Sequence, residues 1–157
     1  MFNIFLTIHI ITGMICLLTG LLAGLSKKRR GIHTAIGEIY HGSFVFVFIS
    51  AVVMSIMHWD ESAYLFYIGV FSYSLAFLGY LSAKIRWKNW LGTHIGGMLG
   101  SYIGIFTATL VVNVNRIPVL NEYPVLWFWF LPTIIGTPII FLIGRKYSPQ
   151  KRRNITI

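Results

Sequence analysis

Five histidines carry most of the chemistry this sequence offers: His9, His33, His41, His58 and His94. An imidazole inside an apolar stretch is rare and usually faces a bundle interior or a cavity. Neutral imidazole also ligates haem iron, zinc and copper. Placed on the apolar runs described below, the histidines fall into two groups. His33, His41 and His94 form an inner group, with His33 in the loop leading into the second run, and His9 and His58 form an outer pair. His41 and His94 fall at similar depth on different helices, as a haem b with two axial imidazoles requires. Gly97 and Ser101 follow His94 by three and seven positions, and Gly37 precedes His41 by one turn. Small residues at those places leave room for a porphyrin. The cofactor-binding candidates are therefore His41, His94, Gly97 and His9.

Three imidazoles around an open position suit zinc or copper instead. His33, His41 and His94 form such a set, with Glu38 as a fourth ligand or a base, and His9 and His58 are the outer metal-ligand candidates. Four of the five histidines also have a plainer reading. His58 is a solvated ring in the headgroup zone, His9 a helix–helix hydrogen bond, and His41 with His94 polar glue or a proton path. No Gly-x-Ser-x-Gly, Walker loop, dinucleotide fingerprint or His-Glu-x-x-His occurs, so nucleophilic, nucleotide-dependent and zincin chemistry have no motif here. A small zinc-dependent membrane hydrolase is left as the enzymatic alternative.

These residues must be positioned by elements suited to lipid. Of 157 residues, 56% are hydrophobic and only 11% charged, with a mean hydropathy of +0.73, whereas a soluble domain carries roughly 25% charge. Five charge-free runs predict transmembrane helices at about 4–25, 38–58, 63–83, 91–114 and 125–144, each long enough to cross about 30 Å of hydrocarbon. Backbone groups in lipid need internal partners, and the runs lack the alternation of barrel strands. The expected fold is an all-α polytopic bundle over 1–144, followed by a basic cytoplasmic tail at 145–157. Pro132, Gly136 and Pro138 predict a kink in the fifth run. The first run is expected to be an anchor rather than a cleaved signal, because no basic segment precedes it.

The formal net charge is +9. Its placement follows the positive-inside rule rather than nucleic-acid binding. With Lys27, Lys28, Arg29 and Arg30 inside, Lys84, Arg86, Lys88, Arg145, Lys146, Lys151, Arg152 and Arg153 are inside too, and Arg116 alone is outside. Asp60, Glu61 and Glu122 fall outside. The N-terminus is then outside and the C-terminus cytoplasmic, with the basic residues in reach of anionic lipid. Trp59, Trp87, Trp90, Trp127 and Trp129 sit near expected helix ends as an aromatic belt. The single cysteine, Cys16, excludes an internal disulfide.

Small residues recur in the helices. The first run carries Gly13, Gly20 and Gly24 with His9 and Cys16, and the third carries Gly69, Ser72, Ala76, Gly79 and Ala83. The fourth carries Gly92, Gly96, Gly100 and Gly104 at a strict step of four. Such stripes let helices pack closely, within the chain, with a membrane-protein partner or with a second copy. The alternative is a cofactor ring lying on the glycines.

Three short elements resemble a bacterial multi-pass family catalogued as domain of unknown function 2306. They are His9 with Gly13 and Gly20, the stretch from His33 through Gly37 to Tyr40, and the stretch from His94 through Gly96 and Gly100 to Tyr102. Members often carry arginine where this chain has Thr34 and Glu38, and a Trp-Met pair where it has Gly97-Met98. The resemblance implies a multi-pass protein of a bacterial plasma membrane and singles out His9, His33 and His94. The two histidine groups themselves, rather than the resemblance, lead to the expectation of a protein binding haem b or a metal ion, in electron transfer or respiratory-complex assembly. The alternative is a non-catalytic accessory subunit or scaffold of a membrane complex.

Overall fold

The computed structural model describes residues 1–27 and 31–147. Lys28, Arg29 and Arg30 of the basic loop and Lys151, Arg152 and Arg153 of the tail lie outside the described residues. The described secondary structure is helical: α1 (Phe2–Leu25), α2 (Ile32–Met57), α3 (Trp59–Ile85), α4 (Trp90–Asn113), a 3-10 turn (Val114–Arg116) and α5 (Val125–Tyr147). All five α-helices are long and apolar enough to cross a membrane. Each forms because its apolar run has no other way to satisfy its amides in lipid.

The helices outrun the charge-free stretches that predicted them. α2 begins at Ile32, not near 38, so His33 and Glu38 are helical and His33 is not in a loop. α3 begins at Trp59, which places Asp60 and Glu61 in its first turn, where acids complement the helix dipole. α5 continues through Pro132 and Pro138 to Tyr147, taking in Arg145 and Lys146 from the expected tail. A charge ends the hydrocarbon-compatible segment but not the helix, since hydrogen bonding continues into the headgroup zone and long basic side chains reach water from there.

The chain divides into two compact units, Met1–Ser74 and Leu75–Ile157, and the division falls within α3. In the first unit α1 and α2 form an antiparallel pair. Phe2 meets His58 with ring centroids 4.7 Å apart. Further along α1, His9 meets Ser50 at 3.0 Å, and Cys16 meets the Tyr40 carbonyl at 3.7 Å. Past its end, Ser26 meets His33 at 3.0 Å. Phe2, His9, Cys16 and Ala23 recur every seven residues, so the seam has coiled-coil spacing. Cys16 and Ala23 are buried in it, opposite buried Tyr40, Phe44 and Val47.

In the second unit the buried face of α4 is Gly97, Ser101 and Ile105, with His94 on the same side. A glycine step of four drifts about 40° per step around a helix of 3.6 residues per turn, which is why the stripe in the sequence does not mark the seam. A methyl added at Gly92 or Gly96 would meet nothing within 4 Å. One added at Gly97 would lie 2.6 Å from the Leu75 carbonyl oxygen and 2.7 Å from Gly79 Cα. One at Gly79 would lie 2.8 Å from the Met98 nitrogen. The backbones of α3 and α4 therefore touch at Gly79 and Gly97, where no side chain fits on either helix. In α1, Gly13 and Gly24 also face open space.

The glycines thus separate into two classes. Gly97→Ala and Gly79→Ala are each expected to lower stability by about 1–3 kcal/mol, because backbone must move. Gly92→Ala and Gly96→Ala are expected to be neutral or to stabilise by about 0.5–1 kcal/mol through reduced chain entropy. Reversible unfolding in mixed micelles, followed by circular dichroism, checks the contrast.

Candidate ligand-binding histidines

His94 stands one turn before Gly97, at the close crossing. Its Nδ1 lies 2.9 Å from the Gly79 carbonyl oxygen. A carbonyl only accepts, so Nδ1 carries a proton, and the tautomer compatible with this contact has its lone pair on Nε2. The Ser82 hydroxyl donates to the same carbonyl at 2.8 Å.

His9 is held in the same way. Its Nδ1 lies 3.0 Å from Ser50 Oγ and 3.2 Å from the Val47 carbonyl oxygen. Ser50 spends its own proton on the Phe46 carbonyl at 2.7 Å, so it accepts from His9. His33 Nδ1 lies 3.0 Å from Ser26 Oγ, and Ser26 donates to the Ala23 carbonyl at 3.0 Å. His9 and His94 therefore share one tautomer, Nδ1–H bonded to a neighbouring segment and Nε2 as the basic nitrogen, and His33 Nδ1 likewise meets a neighbouring segment. A ligating histidine is ordinarily oriented by such a bond from its other nitrogen.

The remaining two differ. The His41 ring stacks on Tyr73 with centroids 6.1 Å apart, and Tyr73 stacks on Phe48 at 4.6 Å. His58 is exposed at the one-residue junction between α2 and α3, against Phe2.

The structure brings no three of these residues together. Among the described residues no group of three or more histidine, cysteine, aspartate or glutamate side chains is placed to hold a metal ion. His33 and His41 are both on α2, eight residues or about 12 Å of helical rise apart, whereas ligands of one ion sit about 2 Å from it. His41 belongs to the first unit and His94 to the second. The room expected at Gly97 for a porphyrin is taken by Gly79, whereas Gly37, one turn before His41, has nothing within 4 Å of an added methyl.

The partners Ser50, Ser26, Tyr73 and Gly79 carry no motif. The signal for Ser50 and Ser26 was available only as pattern: the seven-residue repeat on α1, read against an antiparallel α2, brings His9 opposite Ser50 and the end of α1 opposite His33. Comparison with protein-family models, curated proteins and solved structures finds no match.

Replacing either anchored imidazole tests this geometry. His9→Ala and His94→Ala are each expected to cost about 0.6–1.7 kcal/mol, the range for interhelical hydrogen bonds in membranes. Denaturant titration of the purified protein reads it. For His94 the loss is expected at the low end, since Ser82 still serves the Gly79 carbonyl.

Proposed function

We propose that this chain is a multi-pass protein of a bacterial plasma membrane that binds haem b through intramembrane histidine, in electron transfer or in assembly of a respiratory complex. The observation that carries the reading is the His94 Nδ1 contact of 2.9 Å with the Gly79 carbonyl. It fixes the ring and leaves its basic nitrogen as Nε2, the state an axial ligand requires. In the first unit His41, with open space at Gly37 one turn away, is a separate candidate ligand. A bound haem would supply one-electron chemistry, and the chain's part is to orient imidazole and exclude water. Zinc or copper on the same nitrogens is the alternative cofactor.

The distribution of charge supports an outer N-terminus and a cytoplasmic C-terminus. Lys84, Arg86, Lys88, Arg145 and Lys146 fall at one set of helix ends, and Asp60, Glu61, Arg116 and Glu122 at the other. The elements around His9, His33 and His94 that resemble the family named above support the bacterial assignment.

A non-catalytic accessory subunit is the second reading. It is favoured by the three histidines that already serve as contacts between neighbouring segments, and by the many exposed large apolar side chains of α1 and α5.

An absorption spectrum divides the two. Haem binding predicts a Soret band, a pyridine haemochrome of the b type and about one iron per chain, with the band lost in His94→Ala. A colourless protein with substoichiometric iron, zinc and copper, and histidine variants that still co-purify with a partner, would establish the accessory reading instead.

A further inference from the structure

The second unit is electrically lopsided. α4 and α5 are joined by the compact turns of Ile117–Tyr123, where Leu120 and Asn121 both donate to the Ile117 carbonyl. α5 therefore runs back along α4, and its C-terminus reaches the end where α3 meets α4. Lys84 closes α3, Arg86 and Lys88 lie in the turn before Trp90, and Arg145 and Lys146 close α5. All five are exposed. The unit has a single acid, Glu122, and it lies in the turns at the opposite end, about 36 Å away for a helix of α4's 24 residues.

The turn itself is strained at a cation. Arg86 has φ +58, the left-handed region, which costs a side-chain-bearing residue roughly 1–2 kcal/mol and which glycine adopts freely. The conformation ends α3 by directing the Arg86 N–H to the Ser82 carbonyl at 2.9 Å. Glycine would make the same bond without strain. Asn89, at φ +65, is a residue type that tolerates this region. Arginine at 86 therefore serves something other than the backbone.

Its guanidinium carbon lies over the Trp90 ring, 5.5 Å from the centroid. Lys84 lies over Tyr80 at 5.0 Å, Arg145 over Phe141 at 5.5 Å and Lys146 over Tyr147 at 5.8 Å. Four of the five cations thus lie against aromatic rings, and three of those rings, Tyr80, Trp90 and Tyr147, are of the two types that favour the membrane interface.

We propose that the basic end of the second unit, formed by Lys84, Arg86, Lys88, Arg145 and Lys146, is a docking surface for the phosphodiester headgroups of anionic phospholipids, with Arg86 as its principal contact. Guanidinium pairs with phosphate through two parallel N–H donors, which ammonium cannot match. The surface is independent of whether the chain holds a cofactor.

Native mass spectrometry of the full chain in detergent, titrated with phosphatidylglycerol or with phosphatidylcholine, tests it. The wild type is expected to retain phosphatidylglycerol preferentially, with the preference falling as salt rises. Arg86→Gly is expected to lower the preference about five-fold while helix content and unfolding midpoint hold, because relief of strain offsets the lost ring contact. Arg86→Gly combined with Lys88→Gln and Arg145→Gln is expected to lower it more than about twenty-fold. Arg116→Gln, at the other end, is expected to leave it unchanged. Equal retention of the two lipids by the wild type would overturn the proposal. So would a preference unmoved by Arg86→Gly, or displacement of phosphatidylglycerol by equimolar inorganic phosphate, which would mark a site for free anions. Should the triple variant fail to fold, Arg86→Gly and the salt dependence of the wild type still decide.

Discussion

Lipid offers no hydrogen bonds, and that constraint shapes this chain at every scale. It makes the apolar runs helical, and it governs the side chains as well. The hydroxyls of Ser43, Ser50, Ser82 and Ser101 turn back onto carbonyls of their own helices at 2.7–3.0 Å. Thr7, Thr12, Thr19 and Thr109 do the same. A hydroxyl satisfied in this way has no proton left to donate between helices, though its oxygen can still accept, as Ser50 does from His9. Histidine is different. His9, His33 and His94 bond instead to groups on a neighbouring segment. His9 and His94 therefore became cross-helix contacts, and their tautomers were set in the process.

The same constraint explains why glycine matters at two positions and little at most others. Without water to expel, helices gain by dispersion at short range, and the closest approach is won where both backbones lack a side chain. Gly79 and Gly97 meet in this way. The crossing also carries the Gly79 carbonyl that accepts from His94 and Ser82. Packing and hydrogen bonding there are one feature: a side chain at 97 would push α4 away and lengthen the bond that orients the imidazole.

The sequence revealed much of this and concealed a definite part. The five helices were legible because charge-free runs of about 20 residues have few alternatives. Their ends were not, since Ile32–Glu38 and Arg145–Tyr147 contain nothing that stops a helix and only leave the hydrocarbon. The heptad of Phe2, His9, Cys16 and Ala23 was partly visible as a small-residue stripe, but its glycines misled, because Gly13 and Gly24 turn to open space. At α4 the strict step of four did not mark the seam, and Gly97, placed by its spacing on the face of His94 and Ser101, suggests room for a porphyrin although Gly79 of α3 fills that room. The histidines were found by type. Their partners were not, because a carbonyl such as that of Gly79 has no identity in a sequence.

What the geometry does with the imidazoles bears on how a cofactor site would be assembled. A zinc centre needs three or four donors within about 2 Å of a single point, and such centres are built by converging side chains. Here the histidines diverge: His33 and His41 are separated along one helix, and His9 is fixed toward Ser50. An axial ligand needs only one well-oriented nitrogen per side of a flat ring, with the rest of the ring held by apolar contact and by cations at its edge. Single imidazoles with Nδ1 anchored present one nitrogen each, and among the described residues no three are placed to make a preassembled metal centre.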